Sequence, residues 1–449
     1  MSLPRPRTPQ RVATIGPAGA RQSSLRDNNL RLVLQRIVAA HEPPSRAQVA
    51  HSTSMTRSTV SRLVDDLVHA GFVNELAPQV GSGPGRPATP LVPSRGKIVA
   101  LGLQVNTEFI AAVAVDLAGQ VLATRRQNGQ FVGSNPLAVL GDLGDLARQI
   151  LGKLPRSTRV VGAGLALPGI VVAGTGRLMR APNLGWSQVE AGPLLLPMPA
   201  KGMSGQPVHL GVRMGNEADF AALTVAQNRP GRSGDLADFV YLAGEVGVGG
   251  ALVTDGTLAA GRSGLAGEIG HVCVDPNGPA CRCGSTGCLE QYVGGDALRR
   301  EAEAISPAPA TAGSTPGSTP GSTPGSTAWT PREAVAALVA SAKSGDERAE
   351  AVLQRASWAL SVALGGVVNV VDIPTIVLGG HLGALGAYIK DDLTARLATR
   401  VLGSAWSPPR IVIARGVADS DVAGAHGAAL AELQTLIANP ARWVKSTAD

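Results

Sequence analysis

The sequence predicts an α/β protein in two parts, a small winged helix-turn-helix at the N-terminus and a larger body of alternating strands and helices. Three observations lead there. Between Asp27 and Val73, apolar stripes at helical spacing are separated by short breaks and followed by a strand-like pair. From Lys97 onward, short β-branched runs alternate with helical patterns. Hydrophobic residues make up 44% of the 449 residues but aromatics only 3%, and 56 are glycine, so the core must be built from Ala, Val and Leu. At roughly 100–200 residues per domain, this length implies more than one domain.

Residues 1–23 are rich in Pro, Arg, Ser and Gly without periodicity and read as a disordered basic arm. Ordered structure is expected from near Asp27, where Leu30, Val33, Leu34 and Ile37 mark one face of a helix ending around His41, before Pro43-Pro44. Ser45 with Gln48 is a capping-box signature for a short second helix, which turns Ala47, Val49 and Ala50 inward and stops near Thr53. Thr56 can cap a third helix with Val60, Leu63, Val64, Leu67 and Val68 as its stripe and Gly71 where a left-handed residue is wanted. Phe72-Val73 then reads as a strand. Two helices around a tight break, followed by a strand and a turn, make a winged helix-turn-helix over residues 24–95.

The body occupies residues 97–439. Strands are expected in KIVALGLQV, FIAAVAVDL and VLATRRQ, then a helix from Pro136 to Leu154, a strand from Arg159 to Leu167 and a helix from Asn216 to Asn228. Strands follow at Phe239 to Val246 and Gly250 to Leu258. The last stretch repeats the alternation, with helices from about Pro331 to Val371 and Leu385 to Thr399, strands Thr375 to Leu378 and Arg410 to Ala414, and a helix from Val422 to Ala438. The tetrapeptide repeat at 313–325 has nothing to bury, so residues 305–328 read as a flexible insertion. No stretch reaches the about 18 uninterrupted apolar residues of a membrane span, and the basic N-terminus is not followed by the apolar run of a secretory signal. The chain is therefore expected in the cytoplasm, without a membrane partner.

Charge is concentrated at one end. Residues 1–97 carry 13 Lys and Arg against 5 Asp and Glu, while the chain as a whole is only +7. A basic head on a near-neutral body suggests binding to nucleic acid phosphates, with double-stranded DNA as the partner. The third helix would be the reader. Its outward residues Arg57, Ser58, Thr59, Ser61 and Arg62 are short, polar and basic, as entry into a major groove requires. Beyond the wing strand, Gly83-Pro84-Gly85-Arg86-Pro87 holds Arg86 on a narrow extended segment suited to a minor groove.

All four cysteines, Cys273, Cys281, Cys283 and Cys288, lie within sixteen residues, with His271 beside them. A disulfide framework fits a long cytoplasmic chain poorly, whereas three thiolates and an imidazole are the usual closed set for structural zinc. Five candidate ligands compete for four positions, and spacing does not exclude Cys273.

Gly267-Glu268-Ile269-Gly270-His271, followed by Cys281-Arg282-Cys283-Gly284-Ser285-Thr286-Gly287-Cys288-Leu289-Glu290, resembles the signature of the ROK family of repressors, open reading frames and kinases. The likeness extends to Pro182-Asn183-Leu184-Gly185-Trp186, to Gly379-Gly380, to Ser420-Asp421-Val422-Ala423-Gly424-Ala425 and, in the winged helix, to Gly85-Arg86-Pro87. The resemblance implies an actin-like (ribonuclease H-like), two-lobed sugar-binding domain. It also implies a zinc loop at 271–288, with the ion on His271, Cys281, Cys283 and Cys288 and with Cys273 spare. Asn183, Asn216, Glu217, Glu268, His271 and Glu290 would face a sugar, and carboxylates and amides are what paired hydroxyls need.

Three departures separate this chain from the family's kinases. Their Asp-x-Gly-Gly-Thr phosphate loop is replaced by Gly102-Leu103-Gln104-Val105-Asn106, without the acid, the paired glycines or the Thr. Their Gly-Thr-Gly-x-Gly loop is replaced by Glu245-Val246-Gly247-Val248-Gly249, which sets a carboxylate where phosphates would lie. Glu217 aligns with the kinases' catalytic Asp but reaches one methylene further, and a misplacement of about 1 Å costs on the order of 100-fold in rate. The expectation is a sugar-responsive transcriptional regulator, a repressor without enzymatic activity, acting as a homodimer or tetramer on paired half-sites. The alternative is an ATP-dependent sugar kinase fused to a DNA-binding domain.

Overall fold

The structure, a computed structural model, describes residues 18–78, 89–172, 176–195, 199–201, 207–209, 211–306 and 329–444. The head begins with α1 (Ala18–Ala39), α2 (Arg46–Thr53) and α3 (Arg57–His69). Ser45 and Gln48 form the reciprocal capping box, and Ser54 turns the chain with φ 56° before Thr56 caps α3. Gly71 ends that helix in the left-handed region at φ 77°, a conformation that favours glycine. The wing pairs β1 (Val73–Glu75) antiparallel with β2 (Leu91–Pro93).

Three expectations about the head change. α1 starts at Ala18 rather than near Asp27, so the basic arm cannot run to residue 23. The added turns carry no apolar stripe, and Leu25 is 61% exposed, so periodicity gave no sign of them. The same helix stops at Ala39, two residues before His41. Residues 1–17 and the wing tip with Arg86 lie outside the described residues.

The body has two lobes built on the same plan. In the first, β3 (Ile98–Val105), β4 (Phe109–Asp116) and β5 (Val121–Asn128) form an antiparallel meander, α4 (Pro136–Lys153) follows, and β6 (Arg159–Leu167) joins β3 in parallel. A small sheet of β7 (Ile170–Val172), β8 (Arg177–Ala181) and β9 (Trp186–Val189) comes next, then the short α5 (Ala191–Leu194) and the hairpin β10 (Pro199–Lys201) and β11 (Pro207–His209). β12 (Val212–Asn216) completes the five-stranded order β12-β6-β3-β4-β5. Helix α6 (Glu217–Ala226) and the hairpin β13 (Gln227–Arg229) and β14 (Arg232–Ser233) lead to the second lobe.

There β15 (Phe239–Gly244), β16 (Val248–Thr254) and β17 (Thr257–Leu258) repeat the meander. The strand expected from Gly250 to Leu258 is thus two, because Asp255 and Gly256 take φ of 51° and 69° in a tight reversal. The metal loop, α7 (Glu290–Val293), α8 (Gly295–Ile305), α9 (Pro331–Lys343) and α10 (Glu347–Val371) precede β18 (Thr375–Gly379). Of the insertion expected at 305–328, only Ile305 and Ser306 are among the described residues. After α11 (Gly380–Arg400), β19 (Arg410–Ile413) closes the order β17-β16-β15-β18-β19, again an antiparallel meander with parallel strands on its far side. α10 is long and apolar enough to cross a membrane, but most of its apolar window is buried as a core helix.

The chain then returns to the first lobe with α12 (Ala423–Ala438) and α13 (Ala441–Val444). α12 lies directly on the first sheet because Gly102 and Gly164 offer no side chain: a Cβ on Gly102 would stand 1.7 Å from the Ala425 carbonyl oxygen. The other face of α12 belongs to the head. Leu433, Leu436 and Ile437 share one buried core with Leu30, Leu34 and Val38 of α1 and with Val113 and Val115 of β4. The boundary expected between 95 and 97 therefore divides the sequence but not the core. Apolar contact of this kind holds the head to the first lobe.

Candidate functional site

The six residues expected to face a sugar line one cavity of about 100 Å³ between the lobes. Asn183 enters from the turn after β8, Asn216 and Glu217 from the start of α6, and Glu268, His271 and Glu290 from the metal loop and its flanks.

They are not equally free. Asn216 is the N-cap of α6: its Oδ1 accepts from the backbone N–H of Ala218 at 2.7 Å, and its Nδ2 donates to the Gly169 carbonyl at 2.9 Å. This amide fixes the helix start more than it offers itself to a ligand. Glu290 Oε2 accepts from the Val248 N–H at 3.1 Å, which holds the carboxylate against the β15–β16 turn and leaves its other oxygen for a ligand. A Cβ on Gly247 would fall 2.1 Å from that Oε2 and 3.2 Å from Asn183 Nδ2, so glycine there is what lets the two polar groups converge.

Glu217 is clamped from the end of β3. Its Oε1 accepts from Gln104 Nε2 at 2.6 Å and from Asn106 Nδ2 at 3.0 Å, while Gln104 also donates to the Asp421 carbonyl and accepts from the Ala425 N–H. Burial pushes the Glu217 carboxyl up, against the opposing effect of these two amides. Glu245 lines the same cavity, and burial together with Glu217, Asp421 and Glu108 pushes its carboxyl well above the usual range. Asp219, one turn into α6, is raised to about 7 by burial and by Glu268. Sequence reasoning missed Gln104 and Asn106 as partners of Glu217. Nothing local to the end of β3 signals their reach across more than a hundred residues to α6.

His271, Cys281, Cys283 and Cys288 bring one ligand atom each to within 4.8 Å of one another. The Cys281 Sγ to His271 Nδ1 distance is 3.8 Å and the Cys283 to Cys288 Sγ distance is 3.7 Å. Zinc bonds of about 2.0–2.3 Å in a tetrahedron space their ligand atoms about 3.5–3.8 Å apart, so this set could hold a metal ion. Cys273 lies outside the cluster and is exposed, so the four residues that could hold an ion together are those without it. His271 and Cys283 also line the cavity, so the metal loop forms one wall of the pocket.

On the head, Arg57, Ser58 and Arg62 of α3 are exposed, while Thr59 and Ser61 are half-buried. The hydroxyls of Ser58 and Thr59 bond to the capping Thr56 hydroxyl at 3.1 and 2.8 Å. Arg57 and Arg62 make no ion pair among the described residues and remain available to phosphates. Arg46, which sequence reasoning passed over, pairs with Asp65 at 2.6 Å and Glu75 at 3.0 Å and binds α2, α3 and the wing together.

Residues 33–76 match the IclR helix-turn-helix domain, and residues 100–434 match the ROK family. The chain is 29% identical over 276 residues to the xylose repressor of Caldicellulosiruptor bescii, a match covering 61% of this chain and 65% of that protein. It is 25% identical over 269 residues to the DNA-binding transcriptional dual regulator NagC of Escherichia coli, covering 59% and 62%. Among solved structures, a ROK family transcriptional regulator that is a homolog of the E. coli MLC protein superimposes with a TM-score of 0.70 at 21% identity, over 94% of this chain and 99% of that one. A ROK family glucokinase from Streptomyces griseus, in complex with glucose and AMPPNP, gives 0.54 at 22% identity over 74% and 98%. These structural likenesses establish the fold, a helix-turn-helix head followed by an actin-like two-lobed body. With the match spanning most of both lobes, the chain belongs to the ROK family.

Proposed function

We propose that the protein is a sugar-responsive repressor of carbohydrate genes that binds a sugar between its lobes without phosphorylating it. The observation that carries this reading is the clamp on Glu217. Gln104 spends its amide hydrogens on Glu217 and the Asp421 carbonyl and Asn106 turns its amide to the same Glu217 oxygen, so these donors are engaged within the protein rather than offered to a phosphate, while the other Glu217 oxygen stays open to a sugar hydroxyl. Glu245 adds a second carboxyl to the same space. The names of the relatives, a xylose repressor and a DNA-binding transcriptional dual regulator, support the same reading. Zinc is the ion the Cys₃His set suits best, and its role here is to fix the wall that carries Glu268, His271 and Glu290. The head binds a double-stranded operator in the cytoplasm, as a homodimer or a pair of dimers on repeated half-sites.

Communication between pocket and head has a short route. α6 begins in the cavity with Asn216 and Glu217 and ends in the β13–β14 hairpin, which lies on the last turn of α1. Arg229 donates to the Ala40 carbonyl, and Arg232 meets His41 Nδ1. A ligand that moves the start of α6 thereby moves the end of α1, and it shifts operator affinity to the extent that it binds the two arrangements differently.

Two measurements test the reading together: titration of the protein with sugars by calorimetry, and incubation of the same samples with ATP. The expected result is sugar binding without ADP formation. Turnover at rates typical of kinases, about 1–100 per second, would restore the fused-kinase alternative.

A further inference from the structure

A second cavity adjoins the first. It measures about 360 Å³, against about 100 Å³ for the inner one, and the two share Asn183, Val246, Arg282 and Glu290 as a common wall. Its remaining sides are Pro279 and Ala280 of the metal loop, Gln291 of α7, and Asp296, Ala297 and Arg300 of α8. Ligand pockets typically reach about 300–1,000 Å³, a range that the outer cavity reaches and the inner one does not.

The chemistry of the outer wall selects among occupants. Asp296 is held by Arg299 at 3.2 Å and by Arg282 at 3.5 Å, so its carboxylate is fixed in place with lone pairs to spare. Arg300 makes no ion pair among the described residues, and Gln291 adds an amide that both donates and accepts. Arginines and carboxylates balance two against two, so an anionic substituent would meet Glu290 and Asp296 as well as the cations. No aromatic side chain lines the cavity to receive a flat apolar group. A neutral group carrying several hydroxyls matches this mixture of donors and acceptors.

We infer that the outer cavity is a subsite for a second, uncharged sugar ring, and that the effector is a disaccharide whose terminal ring fills the inner cavity. This rests on the sugar-binding reading above. Gln291 and Arg300 touch only the outer ring and set the preference for length.

The test is calorimetric titration of the full-length protein, purified with its metal, against xylose, glucose and N-acetylglucosamine, their β-1,4-linked disaccharides, and glucose 6-phosphate. At least one disaccharide is expected to bind about tenfold or more tightly than its monosaccharide, the equivalent of about 1.4 kcal/mol. Gln291→Ala and Arg300→Ala are each expected to erase most of that advantage while leaving monosaccharide affinity unchanged. Equal affinity for one and two rings, preference for the phosphate, or variants that weaken both lengths alike would overturn the proposal. Absence of binding by any saccharide would overturn the effector reading itself.

Discussion

Arg229 Nη2 donates to the carbonyl oxygen of Ala40 at 2.6 Å, joining the hairpin that follows α6 to the first residue beyond α1. A guanidinium suits this place because the last carbonyls of a helix lack backbone partners and carry partial negative charge. The hairpin sits close because Gly231, at φ 72°, has no side chain: a Cβ there would stand 2.5 Å from Val38 Cγ2. The segment that begins with α6 at Glu217 in the cavity and continues into this hairpin therefore ends against α1, which shares a buried core with α3.

Arg229→Ala is expected to leave sugar affinity unchanged and to reduce the change in operator affinity that sugar produces. Coupling between sites is typically about 1–3 kcal/mol, or roughly 5–150-fold, and the variant is expected to lose at least half of that energy. Operator titrations with and without sugar check this. An undiminished sugar effect would remove the hairpin from the route.

Cys283→Ser is expected to lower bound zinc from near one per chain to near zero. It should also reduce sugar affinity, since His271 and Cys283 are shared by the metal cluster and the pocket wall. Metal analysis and calorimetry on the same preparation measure both. Full zinc occupancy in the variant would contradict the ligand set.

Much of this site was legible in the sequence, and the reasons differ by residue. The capping box at Ser45 and Gln48, the left-handed Gly71 and the cysteine cluster are local patterns, and each is found as expected. The hairpin at Asp255-Gly256 was also a local signal, an Asp-Gly pair between two short apolar runs, but the expected strand was carried straight through it. The first turns of α1, read as AGARQSSL, hold no apolar stripe in the sequence and so left no period to read. The Gln104–Glu217 clamp, the Arg229–Ala40 hydrogen bond and the core shared by Val38 and Ile437 join segments far apart in the chain, and only the folded topology brings them together.

Arg57→Ala and Arg62→Ala are each expected to weaken operator binding and to lower the slope of log affinity against log salt by about 1 for each phosphate no longer neutralised. Sugar binding should be unaffected, because neither residue reaches the cavity. Weaker binding at unchanged salt slope would assign these arginines a role other than phosphate neutralisation.

Asp219 gives a pH signature. Its carboxyl is raised to about 7, so the folded state holds a proton that the unfolded chain releases near its ordinary value of 3.8. Stabilisation from this group is full below the ordinary value and is lost as pH rises toward 7. Asp219→Asn removes that loss, so its melting temperature relative to the parent is expected to climb between pH 4 and pH 7 and level off above. A difference that stays constant across this range would show an unperturbed carboxyl.

The central claim is that one chain reads DNA and a sugar in a coupled way. The most direct measurement is selection of bound fragments from the source genome by the purified protein at near-physiological salt, with and without each saccharide. The expected result is enrichment of a palindrome upstream of sugar-uptake or sugar-breakdown genes, with occupancy that changes when the right saccharide is present. Enrichment no greater than non-specific binding, or a palindrome indifferent to every saccharide, would contradict it.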